Sequence, residues 1–253
     1  MSNRGQRVLV LSLILGCGWL AAAGAGIAVW EQAAAIVATG MVFYRMRGST
    51  SLSLGVKEAC AVVVAAVGLS MGWTWPSAIV AAIVVGRNGK DAASSRRLAL
   101  WALLAVPWLA ADAGVLGWVF RLSGAWISAG IFHMLGFPVE LQGTWLRIED
   151  QPLAVDAACA GIDTLQATLV VGLWMTDSLK TTRGWIAGVA LLPMLAWLAN
   201  TLRISLLGAV AMTLGREAAT GWFHTWGGLA VIVCVFAFAA AWVTWVRKWE
   251  TAT

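Results

Sequence analysis

The sequence predicts an all-α fold: a polytopic integral membrane bundle of about eight transmembrane helices, with an interfacial helix and a short extracytoplasmic hairpin. Three observations predict it. Of 253 residues, 60% are hydrophobic and only 11% are charged. The mean hydropathy is +0.82, whereas soluble domains carry about 25% charged residues. The apolar runs approach the ~20 residues that one crossing requires, and basic residues close most of them. An ordinary soluble enzyme is excluded, and so is disorder, which needs low hydrophobicity. The net charge of +5 reads as cytoplasmic loops and gives no indication of nucleic acid.

The first span is Val8 to Val29, behind Arg4 and Arg7. Its small residues near Ala21 to Gly26 are similar to a signal-cleavage region. The run is too long for a signal core and more spans follow, so it reads as an uncleaved helix. The second span is Gln32 to Tyr44 and the third Val56 to Gly72, with a turn at Trp73 to Pro76. The fourth, Ser77 to Gly86, is short and precedes a polar loop from Arg87 to Arg97. The fifth runs from Leu98 to Phe120. Leu122 to Phe137 is only moderately apolar and reads as the interfacial helix.

Next comes the most polar long stretch, Pro138 to Asp156. Alternation over Trp145 to Ile148 and Leu153 to Val155 predicts a hairpin turning near Asp150 to Pro152. The sixth span covers Gly161 to Ser178. The seventh starts at Trp185 and continues as helix to Leu214. The last runs from His224 to Val246 and stops at Arg247 and Lys248.

With both termini in the cytoplasm, every one of the 17 Lys and Arg residues except Arg121, Arg147, Arg203 and Arg216 faces inward, as the positive-inside rule asks. Most of the 17 tryptophans then fall into two belts. Cys17, Cys60 and Cys234 lie in apolar runs and read as buried small apolar residues. No Cys/His spacing suggests a metal, and no cofactor motif is present.

This topology brings three reactive residues to one side. Cys159 lies at the outer start of the sixth span. Arg203 is about 30 Å of helix beyond Arg183, one bilayer core. His224 opens the last span. A thiol, a guanidinium and an imidazole make an acyl-transfer set: the thiolate attacks, the imidazole moves protons and the cation holds developing charge. Asp156 reads as a cap of the sixth helix or as an orienting group for Arg203. Asn200 is one turn before Arg203 and can bond across helices. Asp112, an acid inside an apolar run, is a functional candidate. His133 reads as structural.

The residues then match a known pattern. Leu135-Gly-Phe-Pro-Val139, Gln142-Gly143, Leu153 to Val155 and Ala158-Cys159-Ala160-Gly161-Ile162-Asp163-Thr164-Leu165 resemble the signature of exosortases and archaeosortases. Asn200-Thr-Leu-Arg203-Ile204 is similar to their Asn-x-x-Arg-Ile element, and Phe223-His224 with Gly227 to their histidine element. The resemblance runs from about Ser128 to the C-terminus. It implies a single membrane domain over 1–253, with N-terminal helices in 1–121 and a catalytic part in 122–253.

The resemblance also implies a cysteine transpeptidase of the inner membrane, active at the extracytoplasmic face. Its partners would be the C-terminal sorting signals of exported proteins: a short motif, a transmembrane helix and a basic tail. Cys159 would form a thioester with the substrate. Arg203 would polarise the carbonyl or hold the thiolate, and His224 would be the general acid/base. An envelope glycolipid or polysaccharide would accept the acyl group. Asn200, Asp163, Asp156 and Gly161 would support the site.

Two positions depart from the pattern. Ala160 stands where many members have Ser or Thr, and Asp163 where an acid is often absent. Asp163 shares a helical face with Cys159. It can pair with Arg203, raise the thiol pKa, or support the helix N-terminus. Two other functions compete: a transporter using Asp112, Asp163 and Arg203 as a polar path, and a non-catalytic factor in envelope polysaccharide assembly. A transporter calls for inverted repeats and a midplane site, which the sequence does not display.

Overall fold

Helices dominate the computed structural model, which describes residues 29–46, 74–87, 91–105, 114–149, 151–155 and 160–252. The chain divides into two units, 1–112 and 113–253. In the first unit the described helices are α1 (Val29–Met46), α2 (Thr74–Gly86) and α3 (Ala92–Ala105), with α1 and α2 both packed on α3. The expected spans Val8–Val29 (apart from Val29) and Val56–Gly72 lie outside the described residues, as do Cys17, Cys60 and Asp112.

Two boundaries in this unit differ from expectation. Trp75 and Pro76 do not turn the chain; they occupy the first turn of α2. Proline is tolerated there because the first-turn N–H groups have no intrahelical acceptor. The polar loop expected up to Arg97 gives way to helix at Ala92. Asp91 Oδ1 accepts from the Ser94 N–H at 2.7 Å, which caps α3.

The second unit begins with α4 (Gly114–Met134). Here the expected break after Phe120 does not occur, and one helix runs through Arg121. A single charge does not interrupt a helix when neither proline nor a cap accompanies it. The helix also runs through the position where the two parts of the domain were expected to meet. A three-stranded antiparallel meander follows: β1 (Val139–Gln142), β2 (Trp145–Ile148) and β3 (Gln151–Ala154). The expected hairpin is therefore the second half of a larger sheet. Its turn falls at Glu149, where φ is +52°, because Gln151 and Pro152 already belong to β3. Gly143, at φ +60°, supplies the first turn.

The rest is helical: α5 (Ile162–Thr176), α6 (Thr182–Ala190), α7 (Leu192–Leu214), α8 (Arg216–Thr220) and α9 (Trp222–Ala252). The seventh span was expected as one helix. It steps at Leu191 because Pro193 lacks an N–H and its ring crowds the preceding turn. The last helix continues six residues past Val246, through Arg247 and Lys248.

Three helical stretches are long and apolar enough to cross a membrane: Gly114–Met134, Thr182–Leu214 and Trp226–Ala252. Eight crossings are not reached among the described residues. α2, α3 and α5 hold 13, 14 and 15 residues, short of the ~20 a crossing takes. The outer faces are apolar: Met194, Leu198, Leu202 and Leu206 form an exposed stripe along α7, and Leu229, Val233 and Phe238 are exposed on α9. Such a stripe is costly in water and favourable in lipid. Cys234 lies on this outward surface of α9 and is exposed, so its expected burial within the protein is corrected.

Contacts set the direction of each helix in this unit. The Glu250 carboxylate, near the end of α9, accepts from the backbone N–H groups of Lys180 (3.1 Å) and Thr181 (2.9 Å) and from Thr181 Oγ1 (2.5 Å). The end of α5 and the end of α9 are thereby joined. α5 and α9 run one way, and α6–α7 runs back between them. At the other end, Ile204, Leu207 and Ala211 of α7 pack on Leu141 and Leu153 of the sheet and on Val155 just after it.

The helix α4 runs along the second half of α7. Trp197 Nε1 donates to Ser123 Oγ at 2.9 Å. Ser205 Oγ donates to Thr201 O at 3.0 Å, so Ser128 donates to Ser205 Oγ at 2.9 Å. Phe132 reaches Gly208 and packs under Leu146 and Ile148.

Candidate functional site

The site forms where α5 and α9 begin and α7 passes. Cys159 and Asp156 lie outside the described residues. The chain is described again from Ala160, next to Cys159 in sequence, and Ala160 is buried. Gly161 precedes α5 with φ +71° and ψ 14°, a left-handed conformation. A Cβ at Gly161 would come within 2.5 Å of Asn200 Cγ. Glycine is required twice, by backbone conformation and by contact. Asn200 itself is only 1% exposed, so it presses the start of α5 against α7.

One turn beyond Asn200, Arg203 is 8% exposed. Its Nη2 lies 3.3 Å from His224 Nε2 and 3.3 Å from the His224 carbonyl oxygen. A guanidinium has donors and no acceptor. The contact with Nε2 is therefore a hydrogen bond only when that nitrogen offers its lone pair, which leaves the imidazole neutral with its proton on Nδ1. Arg203 Nε is buried with no hydrogen-bond partner among the described residues. A buried donor without a partner is costly.

His224 lies two residues before the apolar span Trp226–Ala252. Burial holds its pKa below the usual 6.5, and the Arg203 charge pushes it the same way. Asp163 opposes both. Asp163 stands in the first turn of α5 and is exposed. It makes no ion pair with Arg203 among the described residues; its place in the first turn of α5 fits the support of the helix N-terminus, and its charge pulls the His224 pKa upward.

Gly228 was not singled out in the sequence. A Cβ there would sit 3.3 Å from both Cζ and Nε of Arg203. The guanidinium thus lies against bare α9 backbone. The signal was available, because position 228 is four residues after His224 and shares its helical face. Gly227, quoted within the histidine element, instead faces the Phe223 ring, which a Cβ would meet at 2.8 Å.

His133 is exposed on α4, and no metal-holding cluster of His, Cys, Asp or Glu exists among the described residues. The structure thus brings together Gly161, Asn200, Arg203 and His224, with Asp163 at the rim. The arrangement offers an imidazole whose pKa is lowered and a cation held against it.

Comparison with known proteins gives one match. The family model described as transmembrane exosortase covers residues 10–244. It thus reaches well into the N-terminal helices, where the motifs alone had shown only shared apolarity. No curated protein and no solved structure matches.

Proposed function

The chain belongs to the transmembrane exosortase family, and from that premise we propose that it is a cysteine transpeptidase acting on exported proteins at the outer face of the inner membrane. Membership supports a multi-pass membrane protein with a transpeptidase-type role in general. The finer reading is that it cleaves a C-terminal sorting signal (motif, transmembrane helix and basic tail) and transfers the exported protein to an envelope glycolipid or polysaccharide.

The observation that carries the reading is the Arg203–His224 contact at the end of the bundle where α5 begins, a few residues after Cys159. In this mechanism neutral His224 takes the proton of the Cys159 thiol, and the thiolate attacks the scissile carbonyl carbon. The carbonyl π electrons move to oxygen, and the fixed positive charge of Arg203 stabilises that oxyanion. As the C–N bond breaks, the departing amine takes a proton from His224. A thioester to Cys159 remains. An acceptor hydroxyl or amine then attacks the thioester, His224 takes its proton, and the leaving thiolate recovers a proton from His224. Gly161 and Asn200 keep the start of α5 against α7, one turn from Arg203.

The test is co-expression with an exported protein that ends in a motif, an apolar helix and a basic tail. Its mass is followed with the native enzyme and with Cys159→Ala. Loss of the tail that depends on Cys159 supports the protease step, and an added mass identifies the acceptor class. Equal processing by Cys159→Ala overturns the reading.

A further inference from the structure

Beside the sheet, on the far side of α4 from the end that touches Ala160, lies an open groove of about 470 Å³. α4 contributes Trp126, Gly130, His133 and Met134, and the edge of β1 contributes Val139 and Leu141. Gly130 forms part of its floor, and a Cβ there would meet nothing within 4 Å. Trp126 and Met134 stand four residues to either side of it on the same helical face, and both are exposed.

The edge strand is open in a particular way. Glu149 N–H donates to Pro138 O at 2.8 Å, and Val139 is registered with Ile148 and Glu140 with Arg147. In an antiparallel ladder, hydrogen-bonded and non-hydrogen-bonded pairs alternate. Glu140 and Gln142 therefore bond to β2, while the N–H and C=O groups of Val139 and Leu141 point outward into the groove. The opposite edge is different. Val155 N–H donates to Thr144 O, so by the same alternation Pro152 and Ala154 face outward from β3, and Pro152 has no N–H to offer. One edge of the sheet is blunted and the other is left as a template, which folded proteins ordinarily avoid.

We propose that this groove binds an extended polypeptide segment as a fourth strand on β1, with apolar side chains at alternate positions seated against Trp126 and Met134. The proposal rests on the transpeptidase reading in one respect: the segment is the part of the substrate just before the scissile bond. Lipid chains and apolar helices have no backbone groups to match the outward donors and acceptors of Val139 and Leu141, whereas an extended peptide matches both. The reach is adequate. Along α4, the path from Gly117, which touches Ala160, to Gly130 is about 20 Å, a distance that about six extended residues cover.

The test is direct binding, which needs no turnover. The probe is a fluorescent peptide of the ten residues preceding the apolar tail of a co-encoded exported protein. The full chain is held in nanodiscs of phosphatidylethanolamine and phosphatidylglycerol. Gly130→Leu adds a side chain where a Cβ meets nothing within 4 Å and should raise Kd at least tenfold. Leu141→Pro deletes an outward N–H while keeping the β1–β2 ladder, and should weaken binding more than Leu141→Val does. Thermal unfolding separates binding loss from misfolding. Unchanged Kd in Gly130→Leu overturns the proposal, as does loss of co-purified lipid from that variant with peptide binding intact. Peptide binding with these sensitivities, but no Cys159-dependent cleavage, would sink the transpeptidase reading and leave the peptide groove standing.

Discussion

Arg203 Nη2 lies 3.3 Å from His224 Nε2 and equally far from the carbonyl oxygen of the same residue. One guanidinium nitrogen therefore sets both the ring and the backbone at the start of α9. The cation also helps to keep that ring neutral, because its charge and burial both lower the His224 pKa from 6.5.

The pH dependence follows from that direction. A neutral His224 serves the mechanism, so kcat/KM should fall on the acid side with an apparent pKa below 6.5. Arg203→Gln removes the charge and should move the histidine titration upward. The sign for stability is the same: the unfolded chain takes up the proton first, so His224 costs stability as pH falls from 6.5 toward its folded pKa. The chain has two histidines, and NMR titration of ring-labelled protein carrying His133→Asn reads His224 alone. A folded pKa of 6.5 or higher would contradict the assignment.

The glycine against the guanidinium gives a split between stability and activity. Gly228→Ala should raise helix stability by about 1 kcal/mol, as glycine in a helix interior is disfavoured. The same methyl stands 3.3 Å from Arg203 Cζ and Nε, and the guanidinium must give way by a few tenths of an ångström. Tm should hold or rise while kcat falls roughly tenfold, about 1.4 kcal/mol of transition-state stabilisation. A fully active Gly228→Ala enzyme would show that Arg203 is not held to that position.

Gly161 should respond to a double-mutant cycle. Gly161→Ala imposes a left-handed alanine, costing roughly 1–2 kcal/mol, and drives its Cβ into Asn200. Processing should drop more than tenfold. Asn200→Ala in the same chain removes the Cγ and Oδ1 overlaps but leaves the Cβ at 2.7 Å and the backbone strain, so thermal stability should recover only in part. Strict additivity of the two changes would mean that the side chains are not in contact.

Much of this was legible in the sequence, for a physical reason. A bilayer forces long apolar runs, and helix length then fixes which residues reach the same level. Counting from Arg183 puts Arg203 about one bilayer core away, and His224 opens the next helix. The structure brings the two into contact. Local exceptions were harder to read. The residue that receives the guanidinium is a glycine, which leaves no side chain to notice. β1 is hidden because Gly143 falls within a motif and does not stand out as a turn. Arg121 looks like a boundary, yet a helix carries one charge through without a break. Pro193 steps the seventh span, although hydropathy is continuous across it.

The far end of the bundle supplies a contrast to the site. Glu250 accepts from the Lys180 and Thr181 backbone and from the Thr181 hydroxyl. Thr181 Oγ1 in turn accepts from Gly184 N–H at 3.0 Å and caps α6. These bonds tie the end of α9 to the turn between α5 and α6, about 39 Å of helix from His224 at 1.5 Å per residue. Glu250→Ala leaves the backbone donors to water, since this end is open, so the loss should be about 1 kcal/mol and appear as a lower Tm. Nothing in the mechanism passes through Glu250, so kcat of the folded enzyme should stay within twofold of native. A large fall in kcat at unchanged Tm would mean that the two ends of α9 are coupled, and that the pairing of Arg203 with His224 depends on where the helix is anchored.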